Sequence, residues 1–466
     1  MRFPMRDFRF ALYAASALAL GVCVARAETN GAPYPIDLPT ALRLAGAQNL
    51  DVQIARQRLM EAEANRVSAL EEFFPWLGAG VSYHRRDGLA QAVPAGTISE
   101  THFESYAPGG TVTAQVVLGD AIYNSLAARQ LVRASDQGLE AQRQDSTLSA
   151  AQGYFELAKA EALVEVARQA LETSQAYQRQ LHEAVSLGIA FKGDELRVQT
   201  QTERYQIALR QAVERQRVVA ASLARILHLD PVVELVPQDA GLAPLTLFET
   251  SGSPEVLVQR ALSARPELKQ SQALVSASRD AKNGAVYGPL IPSIGAQVFV
   301  GGLGGGHDNQ PGNFGATEDY LVGLGWRIGP GGLFDVGRIN AKKAQLDAAQ
   351  LGEAKLKDAI SAEVVESLTR AQSWSDQIAL AKQNLATADE TLRLTRERKQ
   401  YGVGIVLEDI QAQQALDQAR ADYVTTIAEF NKAQYGLNRA VGGPPETEQA
   451  PPDAHEGTPH GTSGWR

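Results

Sequence analysis

Two stretches of this chain are copies of one another, and that doubling constrains the fold more than any single motif does. Leu118 to about Pro231 lies over Gly332 to about Val441 without a gap, so that Leu171 falls on Leu385, Gly188 on Gly402, Asp194 on Glu408, Gln199 on Gln413 and Arg225 on Arg439. Upstream, Asn49-Leu50-Asp51-Val52 answers Arg265-Pro266-Glu267-Leu268, and Pro75-Trp76-Leu77-Gly78 answers Pro292-Ser293-Ile294-Gly295. Each copy reads helix, strand, loop, strand, long helix, turn, long helix. The organisation expected is a first repeat over 37–231, a linker over 232–252 and a second repeat over 253–442. A short segment, 28–36, precedes them, and a Pro- and Gly-rich tail, 443–466, expected to be disordered, follows.

Helix starts are written alike in both copies. Asp37 stands ahead of Pro39, and Ser253 ahead of Pro254-Glu255, each a capping side chain before a proline in the first turn. Asp230-Pro231 is expected to stop the last helix of the first repeat. No proline falls between Pro108 and Pro231 or between Pro330 and Pro444, which leaves both intervals free to form unbroken helices. Leu157, Ala160, Val164, Ala167 and Leu171 recur at the spacing of a packed stripe, as do Ala412, Leu416, Ala419, Tyr423 and Phe430. The interval from about Gly119 to Leu187 predicts a rod roughly 100 Å long at 1.5 Å per residue. A coiled-coil scaffold uses such rods, so rods alone do not decide what the chain is.

The ends and the composition narrow the field. Arg2, Arg6 and Arg9 precede an apolar stretch and then Ala25-Arg26-Ala27, the pattern of an export signal over 1–27. The single cysteine, Cys23, lies inside that leader. Removal of the leader leaves no thiol for a disulfide or a metal, and Val22 before Cys23 argues against a lipid-attachment site. The chain has 53 acidic against 44 basic residues and a formal charge of −9, the wrong sign for nucleic-acid binding. No cofactor, metal site or catalytic residue is expected. The seven histidines are scattered, no His-Glu-x-x-His or Gly-x-Ser-x-Gly pattern occurs, and Gly301 to Gly306 completes no phosphate-binding fingerprint.

Four short segments separate this chain from a plain coiled coil. Leu77, Ala79, Val81 and Tyr83 alternate with Trp76, Gly78, Gly80 and Ser82, and Val112, Ala114, Val116 and Leu118 with Thr111, Thr113, Gln115 and Val117. The second copy repeats the pattern, with Ile294, Ala296, Val298 and Val300 against Ser293, Gly295, Gln297 and Phe299, then Tyr320, Val322, Leu324 and Trp326 against Leu321, Gly323, Gly325 and Arg327. Apolar residues on one face and small or polar ones on the other, in segments of about 10 residues, are the pattern of a transmembrane β-barrel. Tyr83, Tyr320 and Trp326 suit its interfacial belt. Arg85 to Gly110 and Gly301 to Asp319 are expected to be loops outside the cell. Four strands cannot close a barrel, and lipid admits no open edge. Two copies give eight strands, about filled by side chains, whereas three give twelve and room for a passage.

The doubled repeat, the prolines leading into strands at Pro75 and Pro292, Phe334-Asp335-Val336-Gly337-Arg338 at the start of a long helix, and Gly402 followed by Glu408-Asp409-Ile410-Gln411-Ala412-Gln413 together resemble the TolC-like outer membrane efflux protein family from about Leu38 to Gly442. The resemblance implies an α+β membrane protein, mostly long α-helices, whose homotrimer forms a twelve-stranded barrel in outer-membrane lipid and a periplasmic helical tunnel. It also implies docking to a periplasmic adaptor and an inner-membrane pump. Gly188, Gly402 and Gly404 correspond to helix tips that contact the adaptor, and Asp194, Glu408 and Asp409 to acidic gate positions. Gln411 departs from the family pattern, in which a second acidic residue is expected. The alternative is a periplasmic coiled-coil adaptor or scaffold that conducts nothing.

Overall fold

The computed structural model describes residues 34–74, 76–91, 96–238, 241–248, 252–307, 312–401 and 405–443. The export signal and the tail beyond residue 443 therefore lie outside the described residues. In chain order the elements are β1 (Tyr34–Ile36), α1 (Leu38–Gln48), α2 (Leu50–Glu71), β2 (Trp76–Gln91), β3 (Ile98–Val116), α3 (Leu118–Ser186), α4 (Lys192–Ile226), β4 (Leu235–Pro237), α5 (Pro254–Ala264), α6 (Pro266–Tyr287), β5 (Ser293–His307), β6 (Phe314–Gly325), α7 (Val336–Gln400) and α8 (Val406–Val441). The two halves run through the same order.

The proline-free intervals do become rods. α3 is 69 residues long and α7 65, each about 100 Å. Asp37 caps α1 as its sequence context predicts, accepting from the Thr40 amide at 3.1 Å. Ser253 begins α5 without capping it, because its hydroxyl turns to Glu255 instead. The first repeat's last helix ends before Asp230-Pro231: α4 stops at Ile226, and His228 takes a φ of 56°.

β1 and β4 pair in parallel, and the other four strands form an antiparallel sheet in the order β2-β3-β5-β6. Its register places the predicted apolar sets on one face: Val112 pairs with Val298 and that with Tyr320, Ala114 with Ala296 and Val322, and Val116 with Ile294 and Leu324. The strands are longer than their alternation suggested. Much of 85–110 and 301–319 is not loop but ladder, with Arg85 opposite Glu104 and Gly301 opposite Thr317. Leu118 and Trp326 lie just past the strand ends. The glycine run misleads because its glycines make room for rings. Tyr106 is opposite Gly304, which is opposite Phe314, and the two rings stack at 6.0 Å. A Cβ on Gly304 would lie 2.5 Å from the Tyr106 ring.

At its lower rim β2 begins at Trp76, which lies in one row with Thr113, Gln297 and Leu321, yet β6 runs four residues further, to Gly325. A level rim then requires about 13 Å of stagger over three strand spacings, or a tilt near 40°.

Below the sheet, α2, α3, α6 and α7 stand side by side, and further down the order is α4, α3, α8, α7. Between these tiers lies a waist where α1 packs on α3 and α5 on α7. Its core joins both repeats: Ile36, Tyr154, Phe155, Leu157, Leu223, Leu227, Leu235 and Tyr435 cluster on one side, and Ala261, Leu268, Ile360, Val364 and Ala440 on the other. The linker is strapped down rather than loose. The Leu245 amide donates to Asn431 Oδ1 at 2.8 Å, and the Leu247 and Phe248 amides to the buried Gln434 Oε1 at 3.2 and 3.0 Å.

The waist is fastened by charge. Arg265 and Arg439, each 6% exposed, share Glu267; Arg265 also reaches Glu363 at 2.5 Å, and Arg439 reaches Asp145 at 2.7 Å. Four helices thus meet at one cluster. Burial alone would raise the Glu267 carboxyl, but the bonds from Arg265 and Arg439 outweigh it and hold it down to about 2. A carboxyl depressed in the fold contributes stability above its ordinary 4.5 that is lost as pH falls toward 2. Glu267→Ala is expected to cost about 3 kcal/mol, since it leaves two buried guanidinium groups short of a partner. Denaturant titrations of both proteins across that pH window check the value, and the gap between variant and wild type is expected to close toward pH 2.

Candidate functional site

The far ends of the rods form two helical hairpins, α3–α4 and α7–α8, and their polar residues converge. Gly188 closes α3 with a φ of 72°, a backbone shape that glycine takes freely. The turn that follows is apolar and exposed, with Leu187 at 73%, Ile189 at 77% and Phe191 at 82%. On the second hairpin Tyr401 is 84% exposed, while Gly402 and Gly404 lie outside the described residues.

Each hairpin carries its own clasp at equivalent repeat positions. In the first, the buried Glu195 joins His182 at 2.8 Å and Lys192 at 2.6 Å. In the second, the buried Asp409 joins Lys399 at 3.3 Å and Arg396 at 3.8 Å. The three acidic residues expected at the gate divide accordingly. Asp194 pairs with Arg197 at 3.2 Å on its own helix, Glu408 lies 3.5 Å from Arg398, and Asp409 alone of them faces the other hairpin.

Between the hairpins is a cleft of about 670 Å³, lined by Tyr177, Tyr205, Gln201, Arg396, Lys399 and Asp409 among others. Its walls are tied across. Lys399 hydrogen-bonds the Tyr177 hydroxyl and sits 3.8 Å from the ring centroid, a cation–π contact. The Tyr177 hydroxyl in turn bonds Asp409, and burial together with that carboxylate pushes the phenol well above its usual range, so it stays a donor. Tyr205 donates to Asp417 at 2.8 Å, and Gln414 to Gln201 at 2.8 Å. Further up, Lys159 meets Glu429 at 3.2 Å, and Lys432 meets Glu156 at 3.0 Å. Repeat comparison singles out residues the two copies share, and these ties are made by residues they do not: Tyr177 and Tyr205 answer Thr391 and Ala419.

Residues 257–443 match the family model described as Outer membrane efflux protein. That stretch, the second repeat, is an outer membrane efflux protein domain. Among solved structures, the outer-membrane channel OprN shares the fold with a TM-score of 0.72 at 18% identity, over 87% of this chain and 90% of that one. The CmeC outer membrane channel of Campylobacter jejuni gives 0.72 at 17%, over 87% and 85%. The MtrE outer membrane channel of Neisseria gonorrhoeae, in its open state, gives 0.69 at 16%, over 88% and 90%. No curated protein matches the sequence. In the fold shared with those channels, this chain sets a small sheet on long rods.

The Tyr205–Asp417 tie gives a direct test. Burial raises the Asp417 carboxyl, against the bonds from Tyr205 and Gln413. Its contribution to hairpin docking is therefore full below the ordinary 3.8 and shrinks as pH rises through the docked value. At neutral pH the charge is carried at a cost. Asp417→Ala, which strands the Tyr205 hydroxyl, is expected to weaken docking by about 1–3 kcal/mol and to speed amide hydrogen exchange along α8 below Ala419 accordingly. Asp417→Asn keeps an acceptor without the charge and is expected to exchange no faster than wild type at pH 7.

Proposed function

We propose that three copies of this chain form a passive duct through the outer membrane of a Gram-negative bacterium, with the helical tips as its periplasmic gate, serving as the exit of a tripartite efflux or type I secretion system. The observation that carries the reading is the sheet. On β3 the outward positions from Tyr106 to Val116 are all apolar, spanning about 33 Å along the strand and about 25 Å in height at 40° of tilt, the thickness of an outer-membrane apolar band. The next row outward is charged, with Arg85 and Glu104 3.0 Å apart. No described helix is long and apolar enough to cross a membrane.

Both edges of that sheet, β2 and β6, are open within one chain, and so are the flanks in line with them. α2 and α4 on the β2 side expose Ile54, Met60, Val67, Ile207 and Val218, and α7 on the β6 side exposes Leu351 and Leu380. Left and right flanks of different character close into a ring, and twelve strands leave a bore. At neutral pH the ties across the cleft hold the hairpins together and so favour a closed tip. An adaptor that competes for the exposed Leu187, Ile189 and Phe191 would bias them apart, and an inner-membrane pump would supply the cargo.

Detergent-purified protein is expected to run as a trimer and to give stepwise conductance in planar bilayers. A water-soluble monomer whose strands take up aqueous labels on both faces would favour the non-conducting scaffold instead. Phe191→Asp, which places a charge on the exposed turn, is expected to leave conductance within about twofold of wild type and to reduce adaptor co-purification by about tenfold or more.

A further inference from the structure

Glu318 is out of keeping with its surroundings. It lies on the face of β6 that otherwise carries Phe314, Ala316, Tyr320, Val322 and Leu324, the side argued above to meet lipid, where a carboxylate without a cation is costly. In the single chain it is exposed and holds only the Tyr320 hydroxyl, at 2.8 Å. Its neighbour Asp319 is exposed on the opposite, lumen face, and no ion pair reaches it among the described residues. The other open edge, β2, carries the complementary charge: Arg85 faces outward, and His84 and Arg86 face the lumen. Each edge thus lacks what the other offers.

Geometry limits how the edges can meet. The row that leaves β2 at Trp76 reaches β6 at Leu321, four residues above the end of that strand at Gly325. Carried on through the fourth spacing, between subunits, the same slope lifts the row by about 5.3 residues per subunit. Threefold symmetry requires a whole number, and alternation requires an even one, since an odd shift would turn the partner's apolar face inward. Advances of four, six or eight residues correspond to tilts of about 35, 45 and 55°, and closed barrels keep to about 35–45°. Eight is excluded, and six is nearest the slope.

The charges choose the same register independently. An advance of six sets Leu321 opposite Ser82 of the partner subunit, and therefore Glu318 opposite Arg85 of the partner subunit and Asp319 opposite His84 of the partner subunit. An advance of four leaves Glu318 against Tyr83 of the partner subunit, and eight sets it against Asp87 of the partner subunit, a like charge. We infer that β6 joins β2 of the partner subunit in the six-residue register, with the Glu318–Arg85 pair locking the lipid side of the seam and the Asp319–His84 pair the lumen side. Within its own chain Arg85 already holds Asp87 at 2.7 Å and Glu104 at 3.0 Å, and its fork of five donors can take a third carboxylate. The pairs fix the shear of the cylinder, and with it the tilt and the bore. The inference rests on the ring proposed above.

Removal of the leader leaves no native cysteine, so disulfides can read the register. Leu321→Cys is combined in turn with Ser82→Cys, Gly80→Cys and His84→Cys, the partners expected for advances of six, four and eight, and each membrane preparation is oxidised. Residues directly opposite lie within disulfide reach, whereas a shift of two residues carries the Cα atoms beyond about 7 Å. The Ser82 pair is expected to give covalent trimers on non-reducing denaturing gels at about tenfold or more the yield of either other pair. Preference for the Gly80 or the His84 pair overturns the register while leaving the ring standing. No covalent trimer from any pair, together with single chains in detergent, defeats the ring and takes the inference with it. A charge swap on the lumen side tests the pairing itself. His84→Glu sets like charges across all three seams and is expected to lower the fraction of trimer surviving at the wild-type melting midpoint in detergent about tenfold, and adding Asp319→Lys to restore it to within about twofold. Failure of the second substitution to restore trimers overturns the pairing.

Discussion

A peptide group in hydrocarbon has only other peptide groups to bond, and that requirement orders the rest of this molecule. One chain supplies four strands with two bare edges. In the ring proposed above, the alternating faces fix which side meets lipid, the four-residue stagger between β2 and β6 fixes the tilt, and the tilt fixes how β2 of one copy approaches β6 of the next. Everything below inherits that handed arrangement. α2 and α4 continue the β2 edge, and α7 continues the β6 edge. Closure of the sheet and closure of the rods are one act rather than two.

The waist holds the two tiers in register. Arg265 sits at the break between α5 and α6, reaches α7 through Glu363, and shares Glu267 with Arg439 near the end of α8. Rods of 65 and 69 residues have little to stop them sliding past one another, because stripes rich in alanine pack closely but specify position weakly. A buried charge cluster specifies it sharply, since a slip of one turn would strand several charges at once.

Much of this was legible in the residues. The doubling gave the order of elements, the missing prolines gave the rods, and alternation gave the sheet's apolar face, because each rests on a periodicity that survives without tertiary information. The strand lengths were not legible. Gly301 to Gly306 and the charged stretch after Tyr83 look like loops by composition, and only the rings of Tyr106 and Phe314 lying over Gly304 and its neighbours show why a strand can be built from glycine. The cross-hairpin ties at the tips were hidden for the opposite reason. Attention to positions shared by both copies leads to Asp194 and Glu408, whereas Tyr177, Tyr205 and Lys399 occur in one copy alone and find their partners across a distance no local pattern spans.

Where α3 leaves the sheet, Gly119 lies so close to the backbone of Gly288 that a Cβ there would meet the Gly288 carbonyl. Two main chains this close leave no room for a side chain between them, and Asp120, the next residue, accepts from Arg338 at the start of α7 at 2.7 Å. Tyr123, one turn further, lies over Gly284 of α6. Both long rods are therefore anchored to one another within a turn of the sheet, and a pull on either is shared there by both.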